Sequence, residues 1–181
     1  MSLLSVFAQP ANLIRSLAED LRLVGSGGNI PNDLFDNGGY TRNETRKEVV
    51  LGGQNVKSIH FVYANRYIKN PSYAGFAVSS GGELPNDNAI TIEAALEVDS
   101  LSQTKRLTFN GSNAITLAAD EIVVSDPITP EAFSLSTFAA NSKCWARTCT
   151  TITLGDKWPE VPTTSIVGER SISSNSATSQ I

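Results

Sequence analysis

The chain has 181 residues, with 14 Lys+Arg against 18 Asp+Glu and a formal charge of −4. That is enough for one domain with appendages, and the balance argues against nucleic acid as a partner, because neutralising phosphates takes a basic face. One histidine and two cysteines exclude multi-histidine metal sites and a disulfide scaffold, and no apolar run of about 18 residues offers a membrane span.

Only 18% of the residues are charged, below the usual ~25%, so Ser, Thr and Asn must keep the surface wet. The composition implies a soluble, mildly acidic, non-catalytic domain with no cofactor and no metal. The first eight residues are apolar but lack a basic leader region, so the N-terminus is expected to belong to the working protein.

Residues 10–24 have the pattern of an amphipathic α-helix. Pro10 suits a first turn, and Leu13, Ile14, Leu17, Leu21 and Val24 form one stripe at helical period. Gly25 follows as a C-cap. Such a helix either docks on its own domain or serves as an arm for a partner or a second copy. In the second case Leu13, Leu17 and Leu21 are the docking residues. Residues 25–44 read as a Gly-rich linker, from Gly25-Ser26-Gly27-Gly28 to the Asn37-Gly38-Gly39 turn signal. No G-x-x-x-x-G-K-[ST] sequence makes it a phosphate loop.

From about residue 45 the period changes to two. Residues 48–51 form a short strand. Over 57–64, Ile59, Phe61 and Tyr63 share a face, with His60 and Val62 opposite. Residues 73–78 are a weaker strand. Over 89–98, Ile90, Ile92, Ala94 and Leu96 face one way and Thr91, Glu93 and Glu97 the other. Residues 106–109 run into Asn110-Gly111, a two-residue hairpin signal. Further strands are expected over 114–117, 121–125, 132–138 and 143–154. About eight or nine closely spaced strands point to an all-β, antiparallel β-sandwich, jelly-roll-like, over 45–155. In the tail, 156–181, Pro159 and Pro162 break any strand, and the serine-rich end is low-complexity, extended, and expected to lead onward.

Little in this sequence carries chemistry. His60 lies mid-strand, with no nucleophile or orienting carboxylate placed beside it by the sequence. Cys144 and Cys149 are five apart, an odd offset that puts them on opposite faces of a strand; they read as small buried hydrophobes. Gly155-Asp156-Lys157 has a lysine where a Gly-Asp-Ser esterase motif has its nucleophile, and Pro159 obstructs a following helix. Tyr67, Tyr73, Trp145 and Trp158 are candidate platforms for sugar rings. Tyr67, Tyr73 and Trp158 are the stronger ones, since Trp145 equally suits a core.

The order of features from about residue 41 onward resembles a β-rich module with two known settings. One is the accessory region that precedes the catalytic domain of SGNH/GDSL hydrolases; the other is the β-sandwich modules of phage virion proteins, in decoration proteins and fibres. The resemblance rests on Phe61-Val62-Tyr63-Ala64-Asn65, the 89–97 strand, Leu107-Thr108-Phe109-Asn110-Gly111, the Ser125-Asp126-Pro127 turn, and the strand through Trp145-Ala146-Arg147-Thr148. It implies a carrier role without esterase activity. The leading expectation is a structural virion protein, capsid decoration or fibre anchor, that docks on a capsid or tail neighbour as a homo-oligomer, with a trimer favoured. The alternative is a carbohydrate-binding accessory module.

Overall fold

The structure, a computed structural model, describes residues 25–26, 33–36, 39–68, 83–160 and 170–175. The helix expected over 10–24 with its Leu13, Leu17 and Leu21, the strand expected over 73–78 with Tyr73, and the end of the tail lie outside the described residues.

The described residues are mostly β. The strands, in chain order, are β1 (Gly25–Ser26), β2 (Asp33–Asp36), β3 (Arg42–Leu51), β4 (Val62–Ala64), β5 (Arg66–Ile68), β6 (Glu83–Pro85) and β7 (Ile90–Val98). They continue as β8 (Gln103–Arg106), β9 (Ile115–Leu117), β10 (Ile122–Val124), β11 (Lys143–Thr151), β12 (Lys157–Glu160) and β13 (Arg170–Ser174). Two short 3-10 turns, Asp99–Leu101 and Pro130–Phe133, interrupt them. Every strand pairing is antiparallel.

A seven-stranded sheet dominates. Its spine is β3-β11-β7, with β11 paired to β3 from Lys143 to Thr151 and to β7 from Cys144 to Thr151. Each outer edge of the spine is shared by two strands. β13 and β1 cover successive parts of β3, and β9 and β8 cover successive parts of β7.

Alternation along β7 works as its sequence implies: Ile90, Ile92, Ala94, Leu96 and Val98 all enter the hydrophobic core. Beside them lie Cys144 of β11 and Ile152 just beyond it. The core is closed by residues from an irregular ladder that runs through β4 and β10 and continues in bridges Ile59–Ile128 and Val56–Phe138. Val56, Ile59, Tyr63, Ile128 and Phe138 are its buried side chains, and Phe133 of the second 3-10 turn packs edge-on against Phe138. Tyr63 reaches across to the sheet, its hydroxyl 3.3 Å from Thr148 Oγ1 on β11. Burial pushes its phenol up to about 12.

Two residues after Tyr63, Asn65 is wholly buried. Its Nδ2 donates toward the carbonyls of Asn88 (2.7 Å), Leu117 (3.3 Å) and Ala118 (3.0 Å). One side chain thus ties the end of β4 to the start of β7 and the end of β9. Asn86 and Asn88 extend the tie to β12 through the backbone of Lys157.

Several sequence expectations change. Gly25–Ser26 and Asp33–Asp36, within the expected linker, pair as strands with β3 and β12. The short strand expected at 48–51 begins at Arg42. The tail joins the fold through β12 and β13. Pro159 sits inside β12 opposite Leu34; a two-stranded ribbon has edges where a missing N–H costs no ladder bond. Residues 132–138 are not a strand. Pro130 starts a 3-10 turn that ends at Ser134 with φ 59°, and only Phe138 makes a bridge. The hairpin at Asn110-Gly111 forms as expected: Phe109 and Ser112 exchange both backbone hydrogen bonds, at 2.8 and 3.0 Å.

The Asn65 tie yields a stability prediction. Asn65→Ala should cost about 1–3 kcal/mol, the range for losing one partner of buried hydrogen bonds. Asn65→Asp should cost more, because a carboxylate would face carbonyl oxygens. Urea unfolding of the two variants measures the order.

Candidate functional site

The face of the seven-stranded sheet opposite the core is built from charges. Side chains directly opposite in a ladder lie on one side, so the register aligns Arg42, Glu44, Arg46 and Glu48 of β3 with Trp145, Arg147 and Cys149 of β11. β7 adds Glu93 and Glu97.

Glu97 is the centre. It accepts from Arg46 Nε (3.1 Å) and Nη2 (2.6 Å) and from Arg147 Nε (2.7 Å). Glu93 pairs with Arg42 (3.1 Å) and Arg106 of β8 (3.2 Å), and Arg42 also meets Glu44 (3.2 Å). Lys143 pairs with Glu48 at 2.8 Å. These contacts form a lattice three to four strands wide.

Trp145 lies within this lattice and is only 2% exposed. The Arg46 guanidinium sits 3.6 Å from its ring centroid and the Lys143 ammonium 4.3 Å, both cation–π contacts. Its Nε1 donates to Asp99 Oδ1 at 2.6 Å. The charged heads of Arg46 and Lys143 themselves cover the indole. Val50 and Ile172 share this face by register, opposite Lys143 and Glu44 respectively, and are 44% and 52% exposed.

The sequence-derived candidates fare unequally. Trp158 is 1% exposed and part of the core, so it offers no ring face to a sugar; on β12 it stands opposite Phe35 of β2 in the ladder. Tyr67 is half-buried on β5, opposite Leu84. Leu13, Leu17, Leu21 and Tyr73 lie outside the described residues. Cys144 and Cys149 are free and buried, one toward the core and one under the ionic lattice.

The structure also brings together a histidine, a serine and an aspartate. His60 Nδ1 lies 3.0 Å from the Ser125 carbonyl oxygen, which makes Nδ1 the donor. Ser125 Oγ accepts from Phe61 N–H (2.9 Å) and donates to the Asp126 carbonyl (3.0 Å). Asp126 accepts from Thr108 Oγ1 (2.6 Å), Asn110 N–H (3.1 Å) and Gly111 N–H (2.8 Å). Those bonds hold its carboxyl below the usual aspartate range, the Thr108 bond most of all. The wiring of these groups is that of a clamp on a turn. Among the described residues no group of three or more His, Cys, Asp or Glu could hold a metal ion, and no helix is long and apolar enough to cross a membrane.

In the sequence the lattice shows only as a charge pattern, Arg42, Glu44, Arg46 and Glu48 at period two, which marks a charged strand face without its partners. Compared with known proteins, the chain matches no family model and no curated protein.

Two predictions follow from these surroundings. The Arg46 hydrogen bond, with Arg147 behind it, holds the Glu97 carboxyl below its ordinary 4.5. Its stabilisation is whole above that value and is lost as the pH falls through the depressed folded pKa. Glu97→Gln should therefore cost about 1–3 kcal/mol near neutrality, between exposed and buried ion pairs, and narrow the difference from wild type in acid. Urea midpoints across that pH range check both. Burial pushes the Cys144 and Cys149 thiols up to about 11. A disulfide-exchange reagent at mildly alkaline pH should label them only at the rate the protein opens, and rapidly in urea.

Proposed function

We propose that the chain is a non-catalytic structural protein of a phage virion, a capsid decoration or fibre-anchoring module that docks on a capsid or tail neighbour and assembles with copies of itself. In this reading the sheet and the β4/β10 ladder are the two layers of a jelly-roll-like antiparallel β-sandwich. The virion setting rests on the sequence resemblance. The structural role rests on one observation, the ordered ionic face of the large sheet.

That face suits assembly. Arg42, Arg46, Arg106, Arg147 and Lys143 are matched by Glu44, Glu48, Glu93, Glu97 and Asp99 on it or at its rim. A surface carrying both signs in equal measure can meet a copy of itself without net repulsion. Val50 and Ile172 supply apolar contact beside the charges. In a symmetric assembly each contact is repeated, so modest single interfaces add up. Edge strand β8 is exposed and carries Lys105 and Arg106, which discourages indiscriminate strand addition. The glycan-binding alternative loses Trp158 to the core and rests on Tyr67 and Tyr73.

Light scattering on the purified full chain is the test. The expected result is a trimer or larger assembly that shifts toward monomer when Val50 and Ile172 are both replaced by Asp, with the far-ultraviolet spectrum unchanged. Deleting residues 1–24 tests the helical arm in the same assay. A monomer at all concentrations overturns the assembly reading, and a glycan array then decides for the carbohydrate module.

A further inference from the structure

Asn110 and Gly111 form the exposed tip of the two-residue hairpin. Both have positive φ, 51° and 78°, the signature of a type I′ turn. Asparagine followed by glycine is the least hindered setting for a known spontaneous reaction. The backbone nitrogen of the second residue attacks the side-chain amide carbon of the first. A Cβ at Gly111 would meet nothing within 4 Å, so nothing around the tip shields the site by bulk.

The chemistry closes without a cofactor. A bond forms between Gly111 N and Asn110 Cγ, and the Cγ–Nδ2 bond breaks. The Gly111 amide proton leaves with that nitrogen as ammonia. Water then opens the cyclic imide at either carbonyl, giving aspartate or isoaspartate.

What stands in the way is Asp126. The attacking nitrogen must turn toward Cγ and give up its proton. In the folded turn its N–H is held by Asp126 Oδ2 at 2.8 Å, and the Asn110 N–H by Oδ1 at 3.1 Å. Thr108 Oγ1 fixes the same carboxylate at 2.6 Å. Charge-assisted hydrogen bonds of this kind are among the stronger ones. We propose that Asn110 is a site of spontaneous deamidation held in check by the Asp126 clamp, and that its conversion opens the hairpin. Conversion places a new negative charge on the residue whose N–H binds the Asp126 carboxylate, and isoaspartate also lengthens the backbone of a two-residue loop. Either change strains the Phe109–Ser112 pair on which the hairpin closes.

The test ages the full chain at mildly alkaline pH, folded and in urea, and follows the Asn110 peptide by mass and by an isoaspartate-specific methyltransferase. The folded wild type should convert at least about tenfold more slowly than the chain in urea, the factor that loss of one charge-assisted contact implies. Asp126→Ala should raise the native rate by about tenfold, and Thr108→Val by a few-fold. Should Asp126→Ala fail to fold, Thr108→Val decides. Equal rates for folded and unfolded wild type overturn the proposal. So does an unchanged rate at Asn110 in folded variants lacking the clamp.

Discussion

Strand β11 is the constraint on which the sheet depends. Both of its backbone edges are used along nearly its whole length, by β3 on one side and β7 on the other. Both of its faces are used as well. Cys144 and Thr148 look into the core region, while Trp145, Arg147 and Cys149 lie under or within the ionic lattice. A strand so enclosed can tolerate few changes. An inserted residue would shift every later side chain to the wrong face, moving Arg147 away from Glu97 and Thr148 away from Tyr63.

The lattice and the core divide the work. Burial of Ile90, Ile92, Leu96, Phe109 and Phe138 is the large, undirected term. The arginine–glutamate contacts are smaller but directional: Arg46 engages Glu97 through two nitrogens, a geometry lysine does not supply. They also bear on register: Arg46 and Arg147 stand directly opposite each other, and only the native alignment brings Glu97 to both. The same logic explains why Trp145 can lie away from the core. Two cationic side chains and Asp99 give it the cover that apolar neighbours give Trp158.

How much of this could be read in advance varied with the kind of alternation. β7 was legible because Ile90, Ile92, Ala94, Leu96 and Val98 keep period two, with Thr91, Glu93 and Glu97 among the residues between them. The 110–111 hairpin was legible because Asn-Gly meets the positive φ that the turn requires. β3 was not, since Arg42-Asn43-Glu44-Thr45-Arg46-Lys47 has no apolar face; its strand character comes from partners far along the chain. Pro159 and the serines of β13 argued against strands by local preference, and pairing with β2 and β3 overrode it. Residues 132–138 show the reverse: their apolar content is real, with Phe133 and Phe138 both buried, but a proline-initiated turn delivers them. The ionic face was visible only as a charge pattern. Which carboxylate met which guanidinium depended on register.

The arrangement around β3 bears on how the chain becomes a protein at all. On one side β3 takes β11; on the other it takes β1 from before it and β13 from near the end. A hydrogen bond from Thr41 to the Asn175 side chain spans 134 positions of sequence. While a ribosome is still making the chain, β3 therefore emerges early and waits, with two of its final neighbours, β11 and β13, not yet synthesised. Contacts so distant in sequence make for slow folding, and waiting strands are exposed to the wrong partners. The charges along β3, Arg42, Glu44, Arg46, Lys47 and Glu48, suit a strand that must stay in water until β11 arrives.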